Sequence, residues 1–295
     1  MQKGSSFSQK HPFIFGLTLI VAAVILFAGV TAAFRIGFSD DGFSSDTRLG
    51  LVRIEGMITD SEETTDWIRT LREDESIRGV LLRINSPGGA VAPSQEIARA
   101  VERLAQAKPV VVSMSTVAAS GGYYAAAPAD LIVANPSTLT GSIGVIMELS
   151  NLQELMDKIG VKRQSLTSGA LKGAGSPFRP MTQKEREYLM GIVNDMHEQF
   201  VEAVAKGREM DIDAVRAIAD GRALTGRQAL ELGLVDTLGG MEEAIEELKK
   251  LCEITEKVPL VEAPEKKSGW LRDILTSSIN INITSEGLNP GLVIH

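Results

Sequence analysis

The sequence predicts an α/β fold in which a mainly parallel β-sheet is covered by helices. From Leu49 onward, short apolar runs alternate with stretches in which apolar residues recur every three or four positions. Such alternation is typical of βα units, whose strands pair in parallel. Residues 109–114 form a nearly unbroken valine-rich run, which is the pattern of a strand buried on both faces of a sheet.

The predicted elements can be placed in order along the chain. Strands are expected at residues 49–54, 79–84, 109–114, 131–134 and 161–166, and helices at residues 92–107, 152–159 and 182–206. Thr182 is the predicted N-cap of the last helix, because Glu185 follows three residues later in capping-box spacing.

The chain divides by composition into five segments. We assign residues 1–12 to a short leader, 13–34 to a transmembrane anchor, 35–48 to a tether, 49–251 to one large α/β domain and 252–295 to a tail. Two domains remain the other option for the long central part. The tail is interpreted as partly ordered, with a short apolar helix face between Trp270 and Leu275; packing on a neighbouring subunit or a membrane is the alternative.

The anchor is predicted from an uncharged run. Residues 13–34 carry no charge over 22 positions, and a helix of that length spans about 33 Å, enough to cross the hydrocarbon core. A cleaved signal peptide is the competing interpretation, but residues 28–33 offer a poor cleavage site. Lysine and arginine are balanced around the run, so only the short leader favours a cytoplasmic N-terminus. We therefore expect a single-pass membrane protein with its N-terminus inside and its large domain exported.

Composition excludes several classes of function. The formal net charge is -8 and no basic stripe is present, so a nucleic-acid partner is not expected. The lone Cys252 cannot form an intrachain disulfide and is typical of a core position. No zinc-ligand motif or phosphate-binding loop occurs, and we expect neither a metal nor an organic cofactor.

The histidine content disfavours a Ser-His-Asp triad. The chain has three histidines: His11 precedes the apolar run, His197 lies in a polar helical stretch, and His295 is the last residue. None lies in a glycine-rich turn or beside an aspartate at a strand end. A hydrolase built on this chain therefore needs a different base, although a triad is defined in space and not by sequence order.

A serine in a glycine-rich turn is the candidate nucleophile. Ser120 follows a predicted buried strand and precedes Gly121 and Gly122. If a helix begins there, its amides and dipole favour negative charge near the hydroxyl, and the Gly121 amide can bind an oxyanion. Close packing of small residues is the alternative interpretation. Ser142, in a second glycine-containing turn, is placed so that the chain could bring it back beside Ser120.

A glycine-containing turn upstream of both serines supplies candidate oxyanion donors. The run Asn-Ser-Pro-Gly-Gly at residues 85–89 follows a predicted strand and precedes a predicted helix. Two glycines there let the backbone turn sharply and direct amides into a cleft, where they can stabilise a tetrahedral intermediate. An ordinary βα turn explains the same residues equally well.

Lys172 is the candidate base. It lies in a glycine-rich stretch, and its closest acidic residues in sequence, Asp157 and Glu185, are distant. A lysine without a carboxylate partner and near apolar groups has its ammonium form disfavoured by desolvation, so its neutral amine could accept a serine proton. A solvent-exposed loop lysine is the alternative. The Ser-x-x-Lys arrangement is absent from the chain, which excludes β-lactamase-type chemistry.

Taken together, these motifs resemble the short bacterial form of signal peptide peptidase. The matching stretches are residues 85–89, 119–124, 139–145, 168–172, 221–222, 225–229 and 232–236. Each motif is modest by itself, whereas their order and spacing are specific. The resemblance extends from the apolar run to about Leu251 and implies a Clp-protease/crotonase-like βα superhelix.

The resemblance also implies roles for single residues. The family's nucleophile matches Ser120 and its lysine base matches Lys172, with Ser142 holding the lysine amine. The oxyanion amides match Gly89 and Gly121. It further implies hydrolysis of cleaved signal peptides and other hydrophobic peptides in a ring- or dome-shaped homo-oligomer, where one subunit's lysine serves the next subunit's serine.

Two other functions stay open on the sequence. A crotonase-fold acyl-CoA enzyme would use the same oxyanion architecture, but the chain shows no clear glutamate pair near the glycine-rich turns, and a membrane anchor is unusual for it. A non-catalytic membrane scaffold would retain the fold with an unreactive Ser120. Binding of a CoA thioester would favour the first alternative, and an inert serine would favour the second.

Overall fold

The computed structural model describes residues 13, 21–27, 29–31, 47–264 and 293–294. The chain forms two compact units, Met1–Asp46 and Thr47–His295. The described residues 21–27 and 29–31 are helical. No helix among the described residues combines the length and apolar character needed to cross a membrane. Half of the predicted anchor and the whole of the predicted helix at residues 270–275 lie outside the described residues.

The second unit alternates strands and helices, as the sequence predicts. The strands are β1 (Arg48–Glu55), β2 (Ile77–Ser86), β3 (Gly89–Ala90), β4 (Val110–Ala119), β5 (Leu131–Ala134), β6 (Leu139–Gly141), β7 (Ala223–Thr225), β8 (Thr237–Leu238), β9 (Leu260–Glu262) and β10 (Val293–Ile294). The helices are α1 (Glu62–Glu73), α2 (Val91–Ala105), α3 (Gly121–Ala126), α4 (Gln153–Lys158), α5 (Gln183–Gly207), α6 (Ile212–Ile218), α7 (Gly226–Glu231) and α8 (Met241–Leu251).

One sheet organises the unit. Its strands run in the order β7, β6, β4, β2, β1 and β9, and β5 pairs with both β4 and β8. These pairs are parallel except for the antiparallel pair of β6 with β7. The predicted α/β class with a mainly parallel sheet is therefore confirmed.

The core lies on both faces of the central strand β4. Val110, Val111 and Val112 have no exposed surface. Val110 and Val112 join the larger apolar cluster, whereas Val111 joins a second cluster that includes Leu248 of helix α8. Successive strand residues point to opposite faces, so helices must cover both faces, as the valine run predicts. Cys252 lies in the second cluster, and its burial raises the pKa of the thiol.

Strand β4 changes partner along its length, and this places the candidate site. Residues Val111 to Met114 pair with β5, whereas Val117 to Ala119 pair with β6. The carboxyl ends of β4 and β6 therefore meet at one edge of the sheet. Ligands of open α/β sheets bind beyond the carboxyl ends of the strands, where neighbouring connections diverge.

The predicted strand at residues 161–166 is wrong. The structure gives these residues no regular secondary structure, and Leu166 is 93% exposed. No described strand pairs with them, and because only Val161 and Leu166 of the six residues are apolar, the segment offers little surface for a sheet to bury. Past Leu251, where we placed the end of the domain, β9 adds Leu260–Glu262 to the sheet beside β1.

Candidate active site

Ser120 stands at the end of β4 in an unusual backbone conformation. It is the N-cap of α3, and its φ of 54° lies in the left-handed region that non-glycine residues rarely adopt. The residue has no exposed surface, and its Oγ has no hydrogen-bond partner among the described residues. Such conformations cost about 1–3 kcal/mol and concentrate at functional sites. A buried hydroxyl left without a partner is a further mark of such a site.

Ser142 lies beside Ser120, because β4 and β6 are in register. Ala119 pairs with Gly141, so the next residue of each strand is a serine, and the Ser120 amide donates to the Gly141 carbonyl at 2.8 Å. Ser142 also has a positive φ, of 50°. Its Oγ donates to the Gly221 carbonyl at 3.2 Å. The expectation that the chain brings the second serine back to the first is confirmed.

Gly89 and Gly121 approach one another next to Ser120. A Cβ placed on Gly121 would lie 3.2 Å from the Gly89 nitrogen and would overlap the Ser94 hydroxyl. A Cβ on Gly89 would overlap the backbone of Ile58. Both positions therefore require glycine for close backbone approach. Two glycine amides are thus gathered next to the serine, as the oxyanion hypothesis needs.

The β3 segment accepts an extended strand. Val293 and Ile294 pair antiparallel with Ala90 and Gly89. On its other side, the Ala90 amide donates to the Ile58 carbonyl at 2.7 Å. Strand addition of this kind binds peptides through main-chain hydrogen bonds. Gly89, one of the candidate oxyanion glycines, therefore lies on a strand edge that pairs with extended backbone of the same chain.

The structure does not bring Lys172 to the serines. Its side chain is exposed and makes no hydrogen bond or ion pair with any described residue; only its amide is bonded, to the Gly169 carbonyl at 3.1 Å. His197 is not hydrogen-bonded to Ser120 either, since neither its buried Nε2 nor the Ser120 Oγ has a hydrogen-bond partner in the described part of the chain. The described residues therefore bring the serine and the glycines together without a base hydrogen-bonded to the serine.

The segment that carries Lys172 packs little against its own chain. None of the residues 144–184 is buried. Leu155, Ile159 and Leu166 are 55%, 61% and 93% exposed. A run of exposed large apolar side chains is typical of a surface that contacts another molecule. We refer to residues 144–184 as the arm.

The arm meets the body of the protein at a buried carboxylate. The side chain of Glu185, on the first turn of α5, is 4% exposed and forms the predicted capping box with Thr182. Hydrogen bonds from Arg179, and next from the Thr182 amide, lower the pKa of Glu185 to about 2. Glu185 is therefore ionised at neutral pH and fixes the start of the helix.

This pKa predicts how the stability of the protein depends on pH. The folded-state pKa lies below the ordinary value of 4.5, so the stabilisation is complete above that value and is lost as pH falls towards 2. At pH 7, Glu185→Gln should unfold at a lower denaturant concentration than the wild type. The difference between the two unfolding midpoints should disappear as the pH falls from about 4.5 to about 2.5. Denaturant titrations of both proteins across this pH range measure the difference.

Glu198→Gln provides the matched control. Glu198 belongs to the same helix and pairs with Arg216, but both side chains are more than 40% exposed. Exposed pairs contribute little because solvent screens them. If the unfolding midpoint of Glu185→Gln stays below that of the wild type by a constant amount down to pH 2.5, Glu185 is not an ionised, stabilising group.

Two parts of the site were not found from the sequence. The strand-accepting edge at β3 has no local signal, because its partner β10 is about 200 residues away along the chain. Arg179 was also missed, although the capping box that its partner Glu185 belongs to was predicted. No group of three or more His, Cys, Asp or Glu side chains in the described part of the chain could hold a metal ion.

A buried, strained serine at a strand end, beside two apposed glycines in an α/β sheet, is the arrangement of a serine hydrolase. Comparison with known proteins makes the class definite. Residues 102–255 match the model of peptidase family S49. The chain therefore belongs to peptidase family S49 and is a serine peptidase of the signal peptide peptidase type.

Three relatives illustrate the similarity. A provisionally named protease of Methanocaldococcus jannaschii is 45% identical over 185 residues, which are 63% of this chain and 60% of that protein. A provisionally named signal peptide peptidase SppA of Enterococcus faecium is 35% identical over 250 residues, 80% of this chain and 72% of that protein. The chloroplastic serine protease SPPA of Arabidopsis thaliana is 37% identical over 241 residues, but the match covers 36% of its length. The chain thus spans only part of some relatives.

Proposed function

We propose that the protein is a membrane-anchored serine endopeptidase that hydrolyses cleaved signal peptides and other hydrophobic peptides with a Ser120–Lys172 dyad. The observation that carries the proposal is the state of Ser120: buried, strained, without a hydrogen-bond partner among the described residues, and next to Gly89 and Gly121. The branching of β4 into β5 and β6 supports a Clp-protease/crotonase-like arrangement of the sheet.

Each residue has a defined role in the proposed reaction. The neutral amine of Lys172 takes the proton of Ser120 Oγ as that oxygen attacks the scissile carbonyl carbon. The amides of Gly89 and Gly121 bind the oxyanion of the tetrahedral intermediate. Lys172 then protonates the leaving amine, which breaks the peptide bond and leaves an ester on the serine. A water that gives its proton to Lys172 hydrolyses the ester, and the proton returns to the serine.

The lysine is proposed to come from a neighbouring subunit, with its amine held by Ser142. Exposure of the Lys172 side chain, and the lack of hydrogen bonds from that side chain to described residues of its own chain, support this arrangement. The unburied arm with its exposed leucines and isoleucine supports packing against a second copy. A closed ring of such contacts gives every serine one lysine.

The substrate is proposed to bind as a strand along β3. The antiparallel pairing of Val293–Ile294 with this segment supports the idea that extended peptide fits there. Main-chain hydrogen bonds would hold the peptide without regard to its sequence, which suits an enzyme acting on varied signal-peptide remnants. The remnants are apolar, and the proposed anchor at residues 13–34 would keep the enzyme at the bacterial inner membrane where they are produced.

Peptide hydrolysis across a range of pH tests this proposal. The full-length detergent-solubilised protein is expected to cleave fluorogenic apolar peptides and to leave CoA thioesters intact. Activity should rise from neutral to alkaline pH, because a protonated Lys172 cannot accept the serine proton. Thioester turnover without peptidase activity would establish the acyl-CoA alternative. A flat pH profile, with chemistry shown to limit the rate, would contradict lysine as the base.

A further inference from the structure

We propose that Arg179, gripped by the buried carboxylate of Glu185, is a positioning residue for Lys172. It fixes the carbonyl group of Gly173, the residue that follows the proposed base, and so joins residues 168–180, which we call the lysine loop, to helix α5. This inference rests on the proposed function, since it assigns a purpose to the place where Lys172 is held.

The contacts of the guanidinium connect three parts of the chain. Arg179 Nη2 donates to the Gly173 carbonyl at 3.1 Å. Nη1 donates to Glu185 Oε2 at 2.8 Å, and Nη2 also pairs with Glu185 Oε1. Nη1 further donates to the Pro180 carbonyl at 3.2 Å. A planar fork can hold a carboxylate with two bonds and still bind a carbonyl in its plane, which a lysine cannot.

The carboxylate partner is itself fixed. Glu185 Oε2 accepts from the Thr182 amide at 2.9 Å and from the Thr182 hydroxyl at 3.0 Å. Helix α5 is 25 residues long and buries Phe200, Val201 and Val204 in the core. Arg179 is therefore held, through Glu185, by a helix that packs into the core of the protein.

Few other contacts among the described residues hold the lysine loop: the Leu152 amide donates to the Pro177 carbonyl at 2.6 Å, and the Arg163 guanidinium lies over the Phe178 ring. Residues 168–180 contain no helix or strand, and their backbone is closed by short turns such as the bond from the Ala174 amide to the Leu171 carbonyl at 3.1 Å. A base on such a loop would sample many positions, and only one is productive. A Cβ placed on Gly173 would lie 3.2 Å from Arg179 Nη2, so a glycine here lets the guanidinium approach the backbone closely.

A purely structural role for the same contacts makes a different prediction. Thr182 already caps the helix through its own side chain, and an ion pair with Glu185 would only add stability. The bond from Arg179 to Gly173 leaves the helix and reaches the residue next to Lys172. Loss of helix stability alone would lower the unfolding midpoint without altering the lysine's chemistry.

The test compares Arg179→Gln and Arg179→Lys with Arg216→Gln in the full-length protein. Arg216 is the matched control, because it also pairs with a glutamate of α5 and its side chain is 45% exposed against 43% for Arg179. Arg179→Gln is expected to lower kcat by about 10- to 100-fold with KM within twofold, since small misplacements of a catalytic group cost that much. Arg179→Lys keeps the charge without the fork and should fall in between. Arg216→Gln should leave kcat unchanged.

Hydrogen exchange provides a readout that does not depend on activity. In Arg179→Gln, amides of residues 169–176 should exchange faster, while those of residues 188–204 stay as protected as in the wild type. Arg179→Gln with wild-type kcat and wild-type exchange in the loop would overturn the inference. Lys172→Ala measured alongside separates the two proposals. If Lys172→Ala keeps full activity, Lys172 is not the base, whatever the effect of changing Arg179. If Lys172→Ala is inactive and Arg179→Gln is fully active, only the positioning role of Arg179 is wrong.

Discussion

Replacing Ser120 with alanine is expected to abolish peptide hydrolysis and to leave the protein folded. The Oγ removed has no hydrogen-bond partner among the described residues, so its loss breaks no bond of the fold that the structure describes. Lys172→Ala should be equally inactive, because nucleophile and base act as one unit. Each change is expected to lower kcat/KM by about 10³-fold or more, and the double variant should be no worse than either single one.

Initial rates with a fluorogenic peptide measure the effect, and thermal unfolding shows that each variant remains folded. Lys158→Ala is the matched control for the lysine, since Lys158 is also an exposed lysine of the arm. It should retain wild-type turnover. Near-wild-type activity of Lys172→Ala would remove this lysine as the base and return attention to His197.

Mixing the two inactive variants is expected to restore activity. If the base of one subunit serves the serine of the next, a site needs an intact serine on one chain and an intact lysine on its neighbour. In a randomly reassembled equal mixture, each requirement is met half of the time, so about a quarter of the sites in a closed ring should be active. Rates after dissociation and reassembly measure this fraction.

The matched control is a mixture of Ser120→Ala with the double variant, which has no intact serine and should stay inactive. Native mass spectrometry must show that the subunits have mixed. Mixed oligomers of the two single variants that hydrolyse no peptide would mean that each subunit builds its site alone. In that case the arm would have to move within its own chain to bring Lys172 to Ser120.

The fold was predictable where short-range patterns report burial. The valines of β4 predicted a strand covered on both faces, and the spacing of Thr182 and Glu185 predicted the start of α5. The structure confirms the buried strand and the helix start. The prediction at residues 161–166 was wrong because only Val161 and Leu166 in this segment are apolar, so pairing it into a sheet would bury little apolar surface. Here they remain exposed in the described chain.

The site was predictable in part. The adjacency of Ser120 and Ser142 follows once β4 and β6 pair in register. The contact of Gly121 with Gly89 depends on how three segments stack, which no local pattern encodes. Arg179 reaches Glu185 across a turn that contains Pro180, and its second partner, Gly173, is set by the loop conformation. Such contacts can be read only from coordinates. The approach of Lys172 to Ser120 stays a prediction.

Covalent labelling of the serine tests the central claim most directly. The assembled full-length protein would be treated with a serine-reactive fluorophosphonate and digested, and the modified residue located by mass spectrometry, in the wild type and in Lys172→Ala. We predict a single adduct on Ser120 that forms rapidly in the wild type and is nearly lost when the lysine is removed. An adduct on another residue, or labelling of Ser120 at the same rate without Lys172, would contradict a Ser120–Lys172 dyad.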